Sequence, residues 1–102
     1  MSAALLYHSK VHLVHRGTDD VAVAELKVWQ VAENNNFPEG IKYSLFLVNL
    51  KSGDVVIGYD NHKPKGHHVH IGDTEQSYLF RGVDQLIDDF WLAVEERGYL
   101  VS

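Results

Sequence analysis

Along residues 5–14 apolar and polar side chains alternate. Leu5, Tyr7, Val11 and Leu13 fall on one side and His8, Lys10 and His12 on the other, the period of two that a half-exposed β-strand shows. The turn-forming cluster Arg16-Gly17-Thr18-Asp19-Asp20 predicts a hairpin into a second strand over residues 21–31. There Ala22, Ala24, Leu26 and Val28 share one face, and Glu25, Lys27 and Trp29 share the other. Asn34-Asn35-Asn36-Phe37-Pro38-Glu39-Gly40 predicts a surface loop. Residues 41–50 are apolar on both faces, Tyr43, Leu45 and Leu47 against Phe46, Val48 and Leu50, so a central strand covered on both sides is expected. Lys51-Ser52-Gly53-Asp54 makes a tight turn, and the β-branched Val55-Val56-Ile57 lead a fourth strand to Tyr59. Two short extended segments are expected beyond it, at residues 69–71 and 76–80.

The period then changes. Val83, Leu86, Ile87, Phe90 and Val94 recur at helical spacing and predict an amphipathic helix over residues 83–97. Gly82 stands at the N-cap with Gln85 three residues on, Asp84 lies in the first turn, and Gly98 is a C-terminal stop. Strands followed by one amphipathic helix define an α+β class: a single two-layer domain spanning residues 1–102, an antiparallel β-sheet of four to six strands with the C-terminal helix on one face.

Length, charge and composition narrow the classes. A chain of 102 residues closes one core but not two. No apolar run approaches the roughly 20 residues of a membrane helix, and the first six residues lack the basic and apolar regions of a signal peptide, so a cytoplasmic protein without membrane contact is expected. The absence of cysteine excludes disulfides and thiolate metal sites. A formal net charge of -5 argues against a protein that coats nucleic acid non-specifically. The acids gather at Asp19, Asp20, Glu33, Glu39 and along the helix, whereas the stretch from Tyr59 to Gly72 carries only Asp60 against Lys63, Lys65 and four histidines. A locally positive patch on an acidic body is therefore expected at this loop.

The loop at residues 59–72 is the candidate site. If residues 68–70 are extended, His68 and His70 point to the same side. With His62 or Asp60 as the third ligand that zinc needs they form a potential chelate, but that third ligand depends on how the Lys63-Pro64-Lys65 loop folds, and the two lysines oppose a cation. The same residues fit acid-base chemistry on a phosphodiester better. Cleavage of RNA through its own 2′-hydroxyl needs a base, an acid and positive charge on the phosphate. His68 and His70 supply the first two and Lys65 the third; Gly66 lets the backbone come close, and Tyr59 or Tyr78 stacks on a base. Such a site needs no cofactor and no metal. The bland alternative is a solvated loop, and His8 and His12 are read as exposed sheet surface, Trp29 and Trp91 as packing residues.

The motif string Tyr59-Asp60-Asn61, Lys65-Gly66, His68-Val69-His70-Ile71-Gly72, then Tyr78, Phe80, Gln85-Leu86-Ile87 and Asp89-Phe90, resembles the TumE-type toxins of prokaryotic toxin-antitoxin modules. The resemblance spans roughly residues 5–96, with Glu25, Val28 and Trp29 as weaker support. His67 stands where the family more often has an acid, and Pro64 replaces a common glycine. The resemblance implies a growth-inhibiting protein with a cognate, DNA-binding antitoxin, and it places functional residues at Asp60, Asn61, Lys65, His68 and His70. The expectation is a toxin acting as a metal-independent endoribonuclease, its RNA substrate and homo-oligomeric state open. The alternative is a non-catalytic module that binds protein or RNA through an exposed sheet and the His/Lys loop.

Overall fold

The computed structural model describes residues 3–102. Six strands, β1 (Ala4–His15), β2 (Val21–Gln30), β3 (Ile41–Asn49), β4 (Val55–Asp60), β5 (His68–Ile71) and β6 (Thr74–Ser77), run as an antiparallel meander. Helix α1 (Val83–Glu96) then carries the chain back to the opposite edge, where β7 (Tyr99–Val101) pairs antiparallel with β1. The strand order is β6-β5-β4-β3-β2-β1-β7. One face of the sheet is thereby covered by α1 and the other is left open, as the amphipathic pattern of a single helix requires.

The core lies between sheet and helix. Leu13, Ala22, Ala24, Leu26, Val28, Tyr43, Leu45, Leu47, Ile57, Tyr59 and Val69 are buried on the sheet side, and Leu86, Phe90, Ala93 and Val94 on the helix. Cross-strand register puts the first set on one face, since Leu13 pairs with Ala22, Ala24 with Leu47, Leu45 with Tyr59 and Tyr59 with Val69.

Several expectations are corrected. Among the described residues the sheet has seven strands, not four to six; β7 is three residues long, too short to show a period, and it forms because Gly98 (φ 89) turns the chain straight from the helix onto the β1 edge. The sixth strand begins earlier than residue 76. Gly72 (φ 60) and Asp73 make a two-residue turn that pairs Ile71 with Thr74, so the strand ends at Ser77. Tyr78 and Phe80 leave the sheet to cover its helix side, Tyr78 meeting Tyr59 and Phe80 stacking on Tyr43 and His67. Strand β3 is central but covered on one side only, its Phe46 and Val48 lying half-buried on the open face and Leu50 exposed. A bulge in β1 between Leu5 and Tyr7 turns Leu5 to the open face, opposite Trp29, while Tyr7 stays on the core side opposite Val28. The helix ends at Glu96, one residue short of the expected end, and Gln85 makes no capping bond but donates to Asp89 instead.

Candidate functional site

The open face is built by register. Reading across the sheet, one row holds Lys10, Glu25, Phe46, Gly58, His70 and Glu75, and the next holds His8, Lys27, Ser44, Asp60, His68 and Ser77. Two residues apart on β5, His68 and His70 share this face, their ring centroids 5.8 Å apart. Asp60 stands opposite His68 and Glu75 opposite His70. Because strand pairs hold all four side chains, the cluster sits on rigid backbone rather than on a mobile loop.

Its contacts are close. His68 Nδ1 donates to the carbonyl of Gly66 at 2.8 Å, and Nε2 stands 3.1 Å from Asp60 Oδ1 and 3.8 Å from Glu75 Oε2. His70 Nε2 is 2.6 Å from Glu75 Oε2. Lys65 Nζ donates to both oxygens of Glu75, each at 2.7 Å. That bond, more than the neighbouring histidines, holds the Glu75 carboxyl below the ordinary glutamate range against the opposing effect of burial. His68 is nearly buried, whereas Lys65 and His70 are open to solvent.

Not every expected site residue joins this cluster. Asp60, Lys65, His68 and His70 do, and Gly66 contributes its carbonyl from a left-handed backbone (φ 71). Asn61 is buried, with Oδ1 accepting from the Tyr43 N–H and Nδ2 donating to the Ile41 carbonyl. Tyr59 is buried on the helix side, against Tyr78 and Phe90, and burial raises its phenol above the ordinary range. Tyr78 is half-buried there too, its hydroxyl donating to Asp89. Tyr59 and Tyr78 thus lie behind the sheet from His68 and His70, and Asn61 is engaged by the β3 backbone. His67 accepts from the Tyr43 hydroxyl at Nδ1 and meets Glu39 at Nε2, a contact that ties the loop at residues 34–40 to the sheet.

Two parts of the face were not named from the sequence. Glu75 was missed because its place opposite His70 depends on the Gly72-Asp73 turn, a Gly-Asp pair that is itself a hairpin signal. The other is the surface beside the histidines. The ring of Phe46 lies over Gly58, where any Cβ would come within 2.5 Å of it, and it helps line a shallow cleft of about 130 Å³ with Val23, Glu25, Lys27, Ser44 and Val48. Lys42 sits 5.5 Å over the Trp29 ring on the same face. In the loop Lys65 is paired with Glu75 while Lys63 stays exposed, and further basic side chains, Lys10, Lys27 and Lys42, line the open face of β1 to β3, with Lys27 3.9 Å from Glu25.

Fold and site together define a small α+β protein whose single helix covers one sheet face and whose open face carries a His-x-His and carboxylate cluster. The chain belongs to the TumE toxin family, whose model matches residues 3–98. Membership implies an antitoxin as partner. No curated protein and no solved structure matches the chain significantly. Among the described residues, no helix is long and apolar enough to cross a membrane.

Proposed function

We propose that this toxin is an endoribonuclease that cleaves RNA by metal-independent transesterification, with His68, His70 and Lys65 as the catalytic residues. The observation that carries the reading is the placement of two imidazoles on one open sheet face, each against its own carboxylate. Glu75 accepts from Nε2–H of His70 and leaves Nδ1 to take the proton of a 2′-hydroxyl. The 2′-oxygen attacks phosphorus, and the 5′-oxygen leaves with a proton. Both nitrogens of His68 face acceptors, Gly66 and Asp60, an arrangement satisfied by a ring carrying two protons and suited to the acid role. Lys65 is a solvent-exposed partner of Glu75, and such pairs are weak, so an arriving phosphate can draw its ammonium over.

Phe46 takes the stacking role first assigned to Tyr59 and Tyr78, and Lys10, Lys27 and Lys42 guide the RNA backbone across the open face toward the histidines. The acids Asp84, Asp88, Glu95 and Glu96 are exposed on the helix, on the other side of the sheet. The reading extends to a cytoplasmic site of action and a DNA-binding antitoxin that covers the open face.

Purified protein incubated with RNA in chelator tests this reading. The expected products carry 2′,3′-cyclic phosphate ends, and the His68→Ala, His70→Ala double variant yields none. Equal growth inhibition by the parent and the double variant refutes catalysis at this cluster. It would favour the second reading, a binding module, for which the engagement of Lys65 by Glu75 is the supporting observation.

A further inference from the structure

We propose that His68, His70 and Glu75 form a binding site for a borderline divalent cation of the zinc type, and that the ion and acid-base catalysis at this cluster exclude each other. From the sequence the third ligand depended on the path of the Lys63-Pro64-Lys65 loop, and His62 or Asp60 was the candidate. Register supplies a different one, Glu75 from β6, directly opposite His70. Among the described residues these three place one ligand atom each within 4.8 Å of one another.

Geometry and chemistry both fit the ion. Imidazole and carboxylate ligands hold zinc at about 2.0–2.2 Å in a tetrahedron, which sets ligand atoms roughly 3.4 Å apart. The contacts of Glu75 Oε2 with His70 Nε2 at 2.6 Å and with His68 Nε2 at 3.8 Å lie on either side of that spacing. Modest rotation of the exposed Glu75 and His70 side chains equalises them. His68 also has the outer partner that a metal-bound histidine needs: its Nδ1–H donates to the Gly66 carbonyl at 2.8 Å, which fixes the ring and directs Nε2 into the cluster. Asp60 Oδ1, 3.1 Å from that same Nε2, stands where a carboxylate would accept a hydrogen bond from a metal-bound water or become a fourth ligand. Two neutral imidazoles with one or two carboxylates suit zinc better than magnesium or calcium, which take oxygen ligands.

Lys65 already places one positive charge on Glu75. Its side chain is 56% exposed, so an incoming ion displaces it at little cost. Once bound, the ion occupies Nε2 of both rings and the Glu75 carboxylate. The general acid loses its proton and the base loses the partner that orients it. The metal site stands on its own geometry; only the inhibition rests on the endoribonuclease reading.

Calorimetry with zinc chloride on untagged full-length protein tests the site without reference to activity. One ion per chain is expected, with affinity reduced at least tenfold in both Glu75→Gln and His70→Ala and raised several-fold in Lys65→Met. Circular dichroism confirms that each variant is folded. No binding up to 100-fold excess of zinc over protein, or binding that both Glu75→Gln and His70→Ala leave unchanged, overturns the site. A parallel RNA assay is expected to lose cleavage as zinc saturates. Cleavage that zinc restores after chelation would overturn the inhibition and the metal-free mechanism together while leaving the site intact. If RNA is never cut, the functional reading fails and calorimetry still decides the site.

Discussion

The side chain of Asn61 substitutes for a strand beside Tyr43. Its Oδ1 accepts from the Tyr43 backbone N–H at 3.0 Å and its Nδ2 donates to the carbonyl of Ile41 at 2.8 Å. The β3–β4 ladder ends with the pair Ser44 and Asp60, so one amide side chain extends the pairing beyond the last residue of β4. An asparagine that the family resemblance marks as functional thus has an architectural role, holding the start of β3 next to the His/Lys loop. Asn61→Ala leaves a backbone donor and an acceptor without partners. The expected loss is about 2 kcal/mol of unfolding free energy, measured by urea denaturation, with growth inhibition falling only in proportion to the folded fraction.

Tyr59 and Phe46 lie on opposite faces, and their variants should separate accordingly. Tyr59→Phe keeps the buried ring and is expected to leave RNA affinity unchanged. Phe46→Leu conserves an apolar side chain but removes the stacking surface over Gly58. Base stacking on an aromatic side chain contributes about 1–3 kcal/mol, so affinity for a single-stranded oligonucleotide should fall by roughly an order of magnitude. Equal effects of the two substitutions in fluorescence titrations would place RNA on the wrong face.

If RNA crosses the open sheet, its binding must release counterions at the lysines there. Each phosphate neutralised on a single strand contributes about -0.7 to the slope of log affinity against log salt. Lys42→Ala, which also removes the contact with Trp29, should make that slope shallower by about this amount. A substitution of the helix acid Asp88 should leave the slope nearly unchanged.

The link between β6 and α1 depends on Asp89. Burial raises its carboxyl, but this is outweighed by hydrogen bonds from the Tyr78 hydroxyl and the Gln85 amide, with help from Arg81, so the carboxyl lies below the ordinary aspartate range. A depressed folded-state value gives stability that is present above the unfolded aspartate pKa of about 3.9. That stability is lost as pH falls through the lower folded value. Tyr78→Phe should therefore cost about 1–2 kcal/mol at neutral pH and less in acid. Asp89→Asn should flatten the acid limb of a stability profile measured by urea denaturation between pH 2.5 and 7. A Tyr78→Phe cost that does not change with pH would show that the phenol and the carboxylate are not coupled.

Local pattern determined most of the strands, the helix and the pairing of His68 with His70 on one face, because periods of two and of 3.6 residues are properties of neighbouring positions. The Gly53, Gly72 and Gly98 turns are local as well, although only the first and last were read from the sequence. Which face of a strand meets water is not a local property. Phe46 and Val48 are as apolar as Leu45 and Leu47, but one helix can cover only one side of a sheet, so the first two remain on the open face. The company of His68 and His70 was equally a matter of register. Glu75 lies five residues beyond His70 and becomes its partner only through the two-residue turn at Gly72-Asp73, which gives the cluster its second carboxylate and gives the exposed Lys65 an ion-pair partner. Tyr59 alternates onto the core face while its neighbour Asp60 alternates onto the site. Adjacent residues of one motif were divided between architecture and chemistry by the pleat of the sheet.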